Sequence, residues 1–320
     1  MTAILTLLAR YATLILAAGV FAGLAWPDLA AALGPLLAPS VWGLLFLAAL
    51  RLDWAEVVAQ GRRPLAVAAV VGWLLVVSPA VMAALMWWIT EIGSTGVPAG
   101  LVAALVLMAA APPIMSSPAL SVLLGLNGSL SMVVMVSATI LAPLVLPIVA
   151  LEILGLPLAM GAGDLILRLG AMIGSALLAA VFVRRLAGPG GLARNAIRID
   201  AAAVILMVLF AIAIMDGVTQ RSMEEPAHVL LFLAATFAAY VGLQCAGAAA
   251  FALLGRRAAL TVGFSSGNRN MALLLAVLPA GADPDIALYF ALGQLPIYIL
   301  PMVLKPIYRR LLSDRSETQI

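Results

Sequence analysis

"GFSSGNRNMALLLA" (residues 263–276) places Arg269, two asparagines and two serines inside a run that is otherwise apolar on both sides. An arginine about ten residues into a membrane-length segment costs about 2.5–3.5 kcal/mol on insertion scales, and its charge is not readily shed. Gly267 offers a helix break beside it. A second stretch, "PPIMSSPALSVLLG" (112–125), has the same character. It contains a Ser-Ser pair, Pro112, Pro113 and Pro118, and a Leu-rich exit. Proline donates no backbone hydrogen bond and clashes with the preceding turn. Unwound backbone at membrane depth is tolerated only where protein or a watery cavity covers it.

The rest of the chain fixes the setting. Of 320 residues, 65% are hydrophobic and 10% charged, and the mean hydropathy is +1.19. Soluble domains carry roughly 25% charged residues, so the chain is an all-α polytopic membrane protein, and the lipid bilayer is its first partner. Breaks at Pro, Gly and charge clusters predict ten spans: 9–26, 33–50, 64–89, 99–124, 128–150, 164–186, 196–216, 227–254, 259–280 and 285–305. The first is read as a retained helix. Arg10, Arg51, Arg62, Arg63, Arg184, Arg185, Arg194, Arg198, Arg256, Arg257, Lys305, Arg309, Arg310 and Arg315 fall on one side of this scheme. The acidic residues concentrate on the other side, where the only basic residues are Arg168 and Arg221. The positive-inside rule then puts both termini in the cytoplasm of an inner (plasma) membrane protein. Trp26, Trp87 and Trp88 fall at the opposite boundary. The basic pI reflects these loops and does not point to nucleic acid. Cys245, the lone cysteine, reads as a small buried packing residue. His228, the lone histidine, makes a zinc site implausible.

Five spans is an odd number, so a duplicated half would be inverted. "LAPLVLPI" (141–148) and "QLPIYILPMVLKP" (294–306) extend the likeness of spans four and nine to spans five and ten. Domains are therefore expected at 1–155 (first inverted repeat), 156–312 (second) and 313–320 (cytoplasmic tail). Interrupted spans at matching positions of two halves point to a transporter site at mid-membrane. The candidate substrate-binding residues are Arg269, Asn268, Asn270, Ser265, Ser266, Ser116 and Ser117, with Pro112, Pro113, Pro118 and Gly267 as helix breakers. Asp200 is the candidate charge partner of Arg269. The bland alternative is a set of proline kinks packed by small residues, with Arg269 locked to Asp200 or to carbonyls. Gln244 and Gln294 are weaker polar candidates, and the methionines read as packing.

These segments resemble the bile acid:sodium symporter family, of which the chain looks like a divergent bacterial member. The residues that carry the likeness are "LLFLAALRLDW" (44–54), "APPIMSSPALSVLLGLNGSLSMVVMVSATILAPLVLP" (111–147) and "SSGNRNMALLLAVL" (265–278). The resemblance implies ten helices in two inverted five-helix repeats. It also implies a panel domain moving against a core in which broken helices four and nine cross. The family's sodium ligands are only partly present. Its acidic position reads Ser265, its glutamine Arg269, and the asparagine of the fourth-helix motif Pro118. Two later hydroxyl positions read Ser131 and Met135, and a third-helix glutamine position reads Leu74. What remains is a degenerate sodium site at Ser117, Ser131 and Ser265, so sodium binding is doubtful and no other metal or cofactor is expected. In the related arsenite carriers a cysteine stands where Ala111 is.

The function expected is secondary active transport of a small organic anion by alternating access, without sodium coupling, with Arg269 replacing the cation charge. The alternatives are a sodium-coupled bile-acid-type symporter with other ligands and a non-transporting sensor or scaffold. An intramembrane enzyme is not expected, since paired acids and a HExxH-type set at depth are absent from the sequence. A homodimer is left open.

Overall fold

The computed structural model describes residues 12–313 except 53–63, 94–95, 154, 157, 159 and 280. Arg10, Arg62, Arg63, Arg315 and the tail beyond Ser313 lie outside the described residues. Within them every regular element is helical. Helix α1 spans Ala12–Ala25. Seven further helices are long and apolar enough to cross a membrane: α2 (Pro27–Arg51), α3 (Pro64–Glu91), α6 (Gly128–Ile153), α7 (Ala162–Gly188), α8 (Gly190–Glu224), α9 (Pro226–Ala250) and α12 (Pro284–Ser313). The chain is a multi-pass membrane protein. The fourth and ninth expected spans are each split, into α4 (Ala99–Ala110) and α5 (Ser117–Leu123), and into α10 (Arg256–Gly267) and α11 (Met271–Leu275).

Helix starts follow local chemistry. Pro27 opens α2 with Asp28 in its first turn, where a fixed φ and a negative charge suit the N-terminus. Asn127 caps α6 by accepting from the N–H of Leu130, and Asp283 caps α12 by accepting from that of Asp285. The stretch "AGPGGLAR" (187–194) was expected to be a loop. Helix instead runs through it, interrupted only where Gly188 adopts φ 63°. Glycine adopts a positive φ at no steric cost, so one residue does the work of a loop.

The chain divides into two compact units. Unit one holds residues up to Leu52, Arg168–Leu231 and Leu275–Val277; unit two holds the rest. Each therefore takes segments from both halves of the chain. In unit one, Leu47, Ala49, Leu50 and Ala180 form a buried core with Phe46, Leu192, Ile199 and Leu206 packed on it. In unit two, Val70 and Leu74 of α3 meet Val134 of α6 and Val262 of α10. Glycines let α9 and α10 approach closely. A Cβ at Gly263 would lie 2.5 Å from the carbonyl oxygen of Gln244, and one at Gly267 would collide with that of Tyr240. Small residues at helix contacts are the usual membrane solution. Cys245 is a correction: it is exposed, not buried. The buried face of α9 runs through Phe232, Thr236, Tyr240 and Gln244, and Cys245 sits about 100° beyond that stripe.

A candidate site where two broken helices meet

The two breaks lie against each other in unit two. Pro113 and Arg269 form an isolated antiparallel bridge. The N–H of Ile114 donates to the carbonyl of Asn268 (3.0 Å), and that of Asn270 to the carbonyl of Pro112 (2.8 Å). Both hydrogen bonds use the residues flanking the bridge, so the missing N–H of Pro113 is not needed. Each unwound segment thus satisfies the other in place of water, as burial demands.

Arg269 is fully buried. Its Nε donates to the carbonyl of Ser266 (2.6 Å), and its Nη1 to those of Leu74 (3.0 Å) and Ala111 (2.7 Å). Its Nη2 donates to Ser78 Oγ (2.8 Å). Four of the five N–H groups of a guanidinium are therefore used, all on uncharged oxygens. Each carbonyl is available for a local reason. The N–H of Ser78 bonds to Trp73 in a π-helical turn, and the next residue, Pro79, has no N–H, so Leu74 loses its helical partner. Asn270, which would have bonded to Ser266, donates to Pro112 instead. Ala111 ends α4 in an extended conformation. Helix C-termini carry partial negative charge, and those of α4 and α10 both face this cation. Ser78 Oγ completes the shell, itself bonded to the carbonyls of Leu74 and Ala109. The expected carboxylate partner is not among these groups: Asp200 pairs with Arg51 in unit one.

The other expected site residues separate into three groups. Ser117 is hydrogen-bonded to Ser131 (3.0 Å), and Ser266 Oγ accepts from Trp73 Nε1 (2.9 Å) and donates to Val262. Asn270 caps α11 through Leu273. These hydroxyls and this amide oxygen are spoken for. Ser265 Oγ and both amide atoms of Asn268 are buried without a partner, as are Tyr240 OH and Gln244 Nε2. Asn268 lies beside Tyr240, and Tyr308 donates to Gln244 Oε1. Five of these unpartnered atoms therefore lie along α9 and α10, with Ser121 Oγ and Thr139 Oγ1 elsewhere in unit two; on α9 the sequence singled out only Gln244, as a weaker candidate. Ser116 is exposed. Pro118 corrects an expectation: it occupies the first turn of α5, where proline is compatible with helix, so Pro112 and Pro113 carry the break. Gly267 is the last residue of α10, and the unwinding falls at residues 268–270. Gln294 bonds within α12 to Phe290 and Tyr298.

No family model matches the chain, and no curated protein matches it.

Proposed function

We propose that the chain is a secondary carrier of a small organic anion, a sodium-independent relative of the bile acid:sodium symporters, working by alternating access. In this reading it has ten spans in two inverted repeats with cytoplasmic termini, and the two compact units act as panel and core. The observation that carries the reading is the Arg269 nest. Carbonyls at two helix C-termini are groups that would otherwise solvate a metal cation at a transporter crossing. Here a guanidinium occupies them permanently. A like charge about 4 Å away would be opposed by roughly 4 kcal/mol at an effective dielectric of 20. Because its donors are occupied, Arg269 serves as a fixed charge that organises the crossing. The anion falls to other groups, with Ser265, Asn268 and Asn270 as the nearby polar shell.

The test is thermal stabilisation of the purified protein by a panel of organic anions, with sodium or choline as the only cation, since a ligand raises stability by mass action. Equal shifts in both salts, together with anion uptake into liposomes that is indifferent to sodium, are expected. A shift confined to sodium would sink the reading.

A further inference from the structure

Arg168 is the other guanidinium whose place needs a reason. It lies six residues into α7, and Arg184 lies near the other end of that helix, about 24 Å away at 1.5 Å per residue. Arg184 is engaged with the carbonyls of Leu50 and Leu52. Arg168 makes a single long hydrogen bond, from Nη1 to the carbonyl of Val277 (3.3 Å). The ion pairs among the described residues are Arg51–Asp200 and Arg221–Glu225, so Arg168 has no carboxylate, not even Asp164 one turn before it. A guanidinium that merely reached for water would lie along the helix toward its nearer end. This one, though exposed, bonds back onto the protein beside an open groove of about 480 Å³ lined by Arg168, Ala171, Met172, Ser175, Ala276 and Val277.

The four α7 residues recur at helical spacing, so they form one face about 10 Å long. Arg168 marks one end. At the other, Ser175 is occupied, accepting from Trp42 Nε1 (2.9 Å) and donating to the carbonyl of Met172. Trp42 is in turn stacked on Phe46. Between the ends the wall is apolar. We infer that this groove binds an amphipathic anion, its carboxylate or phosphate head on the spare N–H groups of Arg168 and its apolar body along Ala171, Met172 and Val277. A charged acceptor forms a hydrogen bond about twice as strong as a neutral one, so such a head displaces the long contact to Val277. The site rests on the carrier reading for its meaning, as a docking place for the transported anion outside the crossing. The same chemistry fits the head and chain of an anionic lipid.

Photolabelling of the full-length protein in neutral detergent tests it, with a diazirine-bearing decanoic acid as probe and mass spectrometry to map the adducts. Labelling is expected at residues 168–177 and 275–279, about tenfold weaker in Arg168→Ala, which is about 1.4 kcal/mol of affinity, and partly retained in Arg168→Lys at an unchanged melting temperature. Equal labelling of Arg168→Ala, or equal labelling of this site by the matching diazirine alcohol, would overturn the proposal. Competition by free decanoate assigns a soluble anion, whereas competition only by phosphatidylglycerol in nanodiscs assigns a lipid; either supports the site. Because labelling requires no transport, an inactive carrier that still labels would count against the proposed function alone.

Discussion

Arg51 and Arg269 show two ways of keeping a guanidinium in an apolar chain. Arg51 ends α2, its side chain is 55% exposed, and it meets Asp200, which is 26% exposed. Arg269 is fully enclosed and meets three carbonyls and one hydroxyl. Where water reaches, a second charge is cheap to keep and contributes little. Where it does not, a carboxylate partner would itself have to be desolvated at several kcal/mol. The chain instead draws on backbone dipoles already freed by its breaks. Neutral acceptors then stabilise the cation without adding a second buried charge.

The contrast predicts a ranking of variants. Arg269→Ala strands a converging set of buried acceptors and should cost about 3–5 kcal/mol, in the range for one partner removed from a buried charge network. Chemical unfolding in mixed micelles measures it, and a loss below about 1 kcal/mol would erase the distinction from Arg51. Ser78→Ala removes one charge-assisted bond and should cost about 1.5–3 kcal/mol; a double-mutant cycle with Arg269→Ala should show most of that loss vanishing when the arginine is already gone. Arg51→Ala should change stability by about 0–1 kcal/mol, with the difference shrinking in high salt. A salt-insensitive loss would mean that the pair is better shielded than its exposure indicates.

Much of the meeting of the two breaks was legible in the sequence. Pro112 and Pro113 announce a break, and a lone arginine in "SSGNRN" announces a site that must be covered. Its partners were harder to read because they are main-chain carbonyls, which every residue carries and only conformation releases. The proline at 79 gave only a partial signal: it leaves the carbonyl of Leu75 without an α-helical donor, whereas that of Leu74 is released by the π-helical turn that diverts the N–H of Ser78 to Trp73. Asp200 attracted attention because carboxylates are the conspicuous counter-ions. Arg51, one residue past the expected end of the second span, was the nearer claimant. Pro118 misled because a proline's effect depends on whether it falls inside a helix or in its first turn. Gly188 misled in the opposite sense, since three glycines and a proline in a row (188–191) read as a loop although only Gly188 departs from helical geometry.

The acceptors of Arg269 also carry an implication for synthesis. Leu74, Ser78 and Ala111 lie 195, 191 and 158 residues before it. A ribosome, building from the N-terminus, has delivered all three to the membrane before the arginine emerges. The costly residue therefore enters last, into surroundings already made. A circularly permuted chain that began between α6 and α7 would present the arginine first and leave it to wait, with the translocon or a chaperone holding an unsolvated charge. Natural order and permuted order should then differ in yield far more than in the stability of whatever folds.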